Sequence, residues 1–128
     1  MAPLLVALLL QAAPAPVPVC TATVAPPVGL EAWGAAPTAA AGLLTMGKVN
    51  VLTLQPVEKV TYTPAPSRAP KPGSFGGSYQ VNVTVAGTYR IALGSGAWID
   101  VVRDGKALAS TAHTEGSTCL GIRKIVDF

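Results

Sequence analysis

The sequence predicts an all-β domain, an antiparallel β-sandwich of jelly-roll type, preceded by a Pro/Ala-rich N-terminal arm. Three observations predict it. The 128 residues include 13 Gly and 12 Pro, too many interruptions for a helical bundle. From Gly76 onward, short runs alternate apolar and polar side chains with a period of two, separated by turn residues. Asp104-Gly105 is the favoured pair for a two-residue hairpin turn. The length suits one domain and not two. Charged residues make up only 12% of the chain, so its polar face is thin. The net charge of +3 is mild and the nine Lys and Arg are scattered, so nucleic acid is not an expected partner.

The first element is a targeting segment, residues 1–13. LLVALLL at 4–10 is apolar but too short to span a bilayer, and Ala12 and Ala13 are small residues suited to signal-peptidase cleavage. The alternative is a buried N-terminal strand or helix. Cys20 lacks the Leu three positions earlier that a lipoprotein anchor takes, since Val17 stands there. The expected location is periplasmic or secreted, with no transmembrane helix. Export gives Cys20 and Cys119 a meaning, because two Cys in an oxidising compartment invite one disulfide. It would fasten the arm onto the body of the domain. The alternatives are two unpaired thiols or a catalytic pair of Cys119 with His113, for which no orienting acid is evident.

Residues 14–47 form the arm, interrupted by Gly34, Pro37 and Gly42, with at most a turn of helix around Glu31–Trp33 and with Trp33 against the edge of the core. The β-domain is expected over 48–128. Val49–Leu54 and Val57–Tyr62 read as a strand pair, or as one strand broken at Gln55-Pro56. PAPSRAPKPG at 64–73 has five Pro or Gly in ten residues and reads as a solvated polyproline-type loop.

Tyr79, Val81 and Val83 alternate with polar residues, and the pattern resumes as Tyr89, Ile91 and Leu93. A two-residue turn at Ala86-Gly87 would set these two apolar sets on opposite faces. A three-residue turn with Gly87 left-handed pairs Val83 with Tyr89, Val81 with Ile91 and Tyr79 with Leu93, leaving one buried face and one wet face. The second register is expected. The Asp104-Gly105 hairpin pairs Val101 with Leu108 and Ile99 with Ser110. On its other face Trp98, Asp100 and Val102 stand opposite Thr111, Ala109 and Ala107. Ile122–Phe128 is a last strand, either a sheet edge or one whose partner hairpin is missing.

The stretches FGG at 75–77, AGTYR at 86–90, AWIDVVRDGKAL at 97–108, His113 and CLGIRKIVDF at 119–128 resemble a family of short exported proteobacterial proteins of unknown function. Its members often carry the name homogentisate 1,2-dioxygenase. The resemblance covers residues 75–128 well and the arm loosely. It implies a further strand pair after IRKIVDF, so that the chain stops short of the family's length. The hairpin around Gly87 is also similar to pre-peptidase C-terminal β-sandwich domains, which assist secreted enzymes. The dioxygenase name implies an iron site of two His and a carboxylate. This chain has one His, His113, with Glu115 and Asp100 as the nearest carboxylates in sequence. No cofactor is expected.

The candidate ligand face is Trp98, Asp100, Thr111 and His113. An aromatic plate beside an acid, a hydroxyl and an imidazole suits a sugar ring. The competing reading makes Trp98 core, and Arg90, Arg103 or Lys124 the partner of Asp100. The expected function is an accessory, structural or binding module of the cell envelope, whose partner is another envelope protein or a glycan.

Overall fold

A computed structural model of the chain describes residues 20–128. The expected targeting segment 1–13 and the start of the expected arm lie outside the described residues. The fold is all-β, with 26% of the described residues in strands against 6% in short 3-10 turns. Its centre is a three-stranded antiparallel sheet. In chain order, the strands are β1 (Thr38–Ala39), β2 (Leu43–Leu44), β3 (Asn50–Val51), β4 (Gln55–Pro56), β5 (Phe75–Gly76) and β6 (Gln80–Val81). They continue as β7 (Arg90–Leu93), β8 (Val102–Arg103), β9 (Lys106–Ala107), β10 (Ala112–Glu115) and β11 (Lys124–Asp127).

The last strand is not an edge. β11 lies between β10 and β7, pairing His113 with Val126 on one side and Val126 with Ile91 on the other. Ile125 and Val126 point to opposite faces and both are buried, so both faces of β11 are covered. With Ile122, which is fully buried, they make the apolar core of the described residues. Gly116 packs against Ile122 so closely that a Cβ there would sit 2.6 Å from the Ile122 carbonyl oxygen. Only glycine fits beside it. Gly121, left-handed at φ 69°, ends the 3-10 turn Thr118–Leu120 and aims the chain into this core.

The hairpin expected between Tyr79–Val83 and Tyr89–Leu93 does not form. β6 instead pairs in parallel with β2, Leu44 beside Val81, and β7 joins β11. The physical reason lies at the turn. Gly87 does not adopt the left-handed conformation that a three-residue loop requires, and the Tyr89 hydroxyl donates to the Val85 carbonyl, folding the segment on itself. Asp104 and Gly105 do take it, at φ 50° and 75°, and the hairpin they close pairs Val102 with Ala107. Leu108 N–H donates to Val101 O at 2.8 Å. The ladder ends there. Thr111 N–H donates to Asp127 O, so Thr111 and His113 run along β11 and not opposite Trp98.

Val57–Tyr62 is not a strand either. Gln55–Pro56 pairs with Phe75–Gly76, and Val57–Lys59 tightens into a 3-10 turn. There the Glu58 carboxylate accepts the Gly73 N–H at 3.0 Å, a bond that holds its carboxyl below the ordinary range and closes the base of the Pro-rich loop. The first half of the domain is thus built of two-residue ladders, and segment 14–47 contributes β1 and β2 to them.

Three long-range links hold the N-terminal segment to the central sheet. Cys20 and Cys119 form a disulfide across 99 residues. In the loop-entropy account a loop of that size contributes roughly 4–5 kcal/mol by restricting the unfolded chain. Trp33, half-buried within a series of turns over 27–35, donates from Nε1 to Leu120 O at 2.6 Å. Arg90 holds Asp127 bidentately, with both bonds at 2.9 Å, and donates a third to Val28 O, also at 2.9 Å. Asp127 is 8% exposed, so this is a largely desolvated carboxylate with its charge answered.

The Arg90 hydrogen bonds, aided by its charge, hold the Asp127 carboxyl below the usual range against the opposing effect of burial. A depressed folded-state pKa stabilises the protein above the unfolded value, near ~4, and that contribution is lost as pH falls through the folded value. Arg90→Met should therefore destabilise the domain at neutral pH, with the gap to wild type closing below about pH 4. Urea unfolding at a series of pH values measures it. A gap of constant size would contradict the role given to the ion pair.

Candidate functional site

The segment between β7 and β8 carries Ala97-Trp98-Ile99-Asp100, and the Pro-rich loop crosses it. Ser67 donates from its backbone N–H to Asp100 Oδ2 at 2.8 Å and from its hydroxyl to Asp100 Oδ1. Trp98 Nε1 donates to Ser67 Oγ at 3.0 Å and to Asp100 Oδ1 at 3.1 Å. The polar edge of the indole is thereby fixed, while the residue stays 54% exposed. Trp98 is a surface ring and not core.

Two cations approach that ring. The Arg68 guanidinium carbon lies 5.4 Å from the ring centroid, and Lys124 Nζ, on β11, lies 5.1 Å from it. Both are within cation–π range. Lys124 Nζ also donates to Ala97 O at 3.1 Å. Three segments thus meet at Trp98: the Pro-rich loop, the 97–100 stretch and the central strand.

The partners foreseen for Asp100 are engaged elsewhere. Arg90 holds Asp127, Arg103 lies 3.7 Å from Asp104 on the exposed hairpin, and Lys124 reaches Ala97 and the indole. Ser67 takes the role instead. Burial alone would raise the Asp100 carboxyl, but the bonds from the Ser67 hydroxyl and backbone and from Trp98 together hold it below its ordinary range. It is an ionised acceptor that orients its neighbours.

Of the four residues proposed for the ligand face, the structure brings Trp98 and Asp100 together. Thr111 lies just before β10 and His113 on it, both exposed, and among the described residues neither is hydrogen-bonded through its side chain to the other two. Ser67 and Arg68 are the members that sequence reasoning missed. The signal available was that they are the hydrogen-bonding side chains in the run PAPSRAP.

The iron site that the dioxygenase resemblance implies does not fit these residues. His113 is the single His of the chain, its strand-mate Glu115 stands opposite Lys124, and no three His, Cys, Asp or Glu side chains cluster among the described residues.

In a Trp33→Phe background Trp98 is the sole indole, and its emission should titrate in acid with a midpoint below that of an unstructured Asp. Ser67→Ala should raise the midpoint, because the bonds that stabilise the carboxylate are gone. Fluorescence titration of the two proteins checks this, and an unchanged midpoint would remove Ser67 from the site. Comparison with known proteins adds no second line of argument: no family model matches the chain, and no curated protein or solved structure matches it.

Proposed function

We propose that the chain is an exported β-sandwich module of the cell envelope, periplasmic or secreted, that serves as an accessory, structural or binding part and binds another envelope component. The observation that carries this reading is the Cys20–Cys119 disulfide, a bond suited to an oxidising compartment. Among the described residues no helix is long and apolar enough to cross a membrane. The sandwich assignment rests on the three-stranded sheet and the short ladders around it. The resemblance to short exported proteobacterial proteins over residues 75–128 points the same way, with the dioxygenase name carrying no weight beside a single His.

A glycan ligand is the second reading, favoured by the exposure of Trp98. An aromatic ring held at its polar edge, 54% exposed and approached by two cations, offers a plate for the C–H face of a sugar once a cation side chain turns aside. Purified protein should co-sediment with isolated cell envelopes, and Trp98→Ala should lose about tenfold or more of that retention. Absence of co-sedimentation, together with iron-dependent ring cleavage of homogentisate by the same preparation, would overturn the proposal.

A further inference from the structure

We propose that Trp98, Arg68 and Lys124 form a binding site for acidic polysaccharide, with the carboxylate of a uronic acid unit as the recognised group. This rests on the reading of Trp98 as a glycan-binding ring and adds the charge class of the ligand. Two cations converge on one exposed aromatic residue, at 5.4 and 5.1 Å from its centroid. Among the described residues neither is salt-bridged, the ion pairs there being Arg90–Asp127 and Arg103–Asp104. Arg68 also makes no side-chain hydrogen bond among them, so its five N–H donors are left for a ligand or water. Glu115 stands opposite Lys124 in the ladder, yet the ammonium goes to Ala97 O and the indole. Asp100 is taken up by Ser67 and Trp98. Positive charge is left in excess beside an aromatic plate.

That combination sorts ligands. A neutral sugar can stack on the indole but leaves both cations unused. A compact inorganic anion pairs with the cations and gains nothing from the ring. A hexuronate supplies an apolar ring face together with a planar carboxylate, which a guanidinium grips bidentately. Turning either cation toward a carboxylate gives up only a weak cation–π contact at an exposed ring, and the Lys124 ammonium has three donors, so it can keep its bond to Ala97 O. The bonds from Ser67 to Asp100 fix the backbone immediately before Arg68, which limits the ordering needed on binding.

Calorimetric titration of the disulfide-bonded protein with a polyuronate, with neutral dextran and with polyphosphate tests the site. The polyuronate should bind in preference to both others. Arg68→Gln should weaken it about tenfold, and Lys124→Gln by a similar factor. Arg68 lies in an exposed loop, so its substitution probes the site without touching the sheet. Arg103→Gln removes the same charge from the exposed hairpin and should leave the affinity unchanged. Equal affinity for dextran overturns the acidic selectivity while leaving the glycan reading standing, and binding to neither polysaccharide overturns both. Equal binding of polyphosphate, or an equal loss with Arg103→Gln, reduces the effect to net charge and overturns the site.

Discussion

Residues 20–33 leave Val24 and Val28 exposed, and the buried apolar core among the described residues is confined to Ile122, Ile125 and Val126. Hydrophobic burial on that scale does not fix the path of a Pro- and Ala-rich segment against its conformational entropy. Specific long-range bonds do: the Cys20–Cys119 disulfide, the Trp33 bond to Leu120, and the bond from Arg90 to Val28. All three end on β7, on β11's lead-in, or on the turn between β10 and β11. The central sheet is the anchor, and the disulfide is its covalent part.

The same sheet sets up the candidate site. β11 delivers Lys124 to the indole of Trp98, and β7 leads into the segment that carries Trp98 and Asp100. The Pro-rich loop contributes Ser67 and Arg68 because its base is closed by Gly73 on Glu58 and its crown is fastened by Asp100. What reads locally as a solvated connection is thus held at both ends by carboxylates. The cations beside Trp98 form no salt bridge among the described residues, while Asp127 takes Arg90 and Asp100 takes Ser67.

The all-β class and the strands at 90–93 and 124–127 were legible in the residues, but the strands of the arm and most of the pairing were not. Asp104-Gly105 demands two left-handed residues in succession, so its hairpin could be read to the exact pair Val102–Ala107. Two cysteines leave one intramolecular pairing. Alternation at 79–93 identifies side-chain faces but not neighbours, and β6 and β7 each found a partner far along the chain. Ile122–Phe128 reads as an edge or as a strand without its partner hairpin, and adjacent apolar Ile125 and Val126, on opposite faces of β11, are the local feature that fits a central strand. The ligand face split because Thr111 and His113 followed the backbone bonds of β11, where extrapolating the hairpin had kept them opposite Trp98. Ser67 and Arg68 stood out only as the polar pair in PAPSRAP, and their place beside Trp98 could not be read, since a contact 31 or 33 residues away leaves no periodic trace.

The central claim is a chain closed by one disulfide in an oxidising compartment. Its most direct test is the intact mass of protein recovered from the periplasm after thiol alkylation, with and without prior reduction. Both cysteines are exposed, so reductant and alkylating agent reach them without unfolding. The account predicts a mass lacking about the first 13 residues, as an export signal implies, and alkyl groups gained only after reduction. A full-length mass with both thiols alkylated in the untreated sample would contradict it.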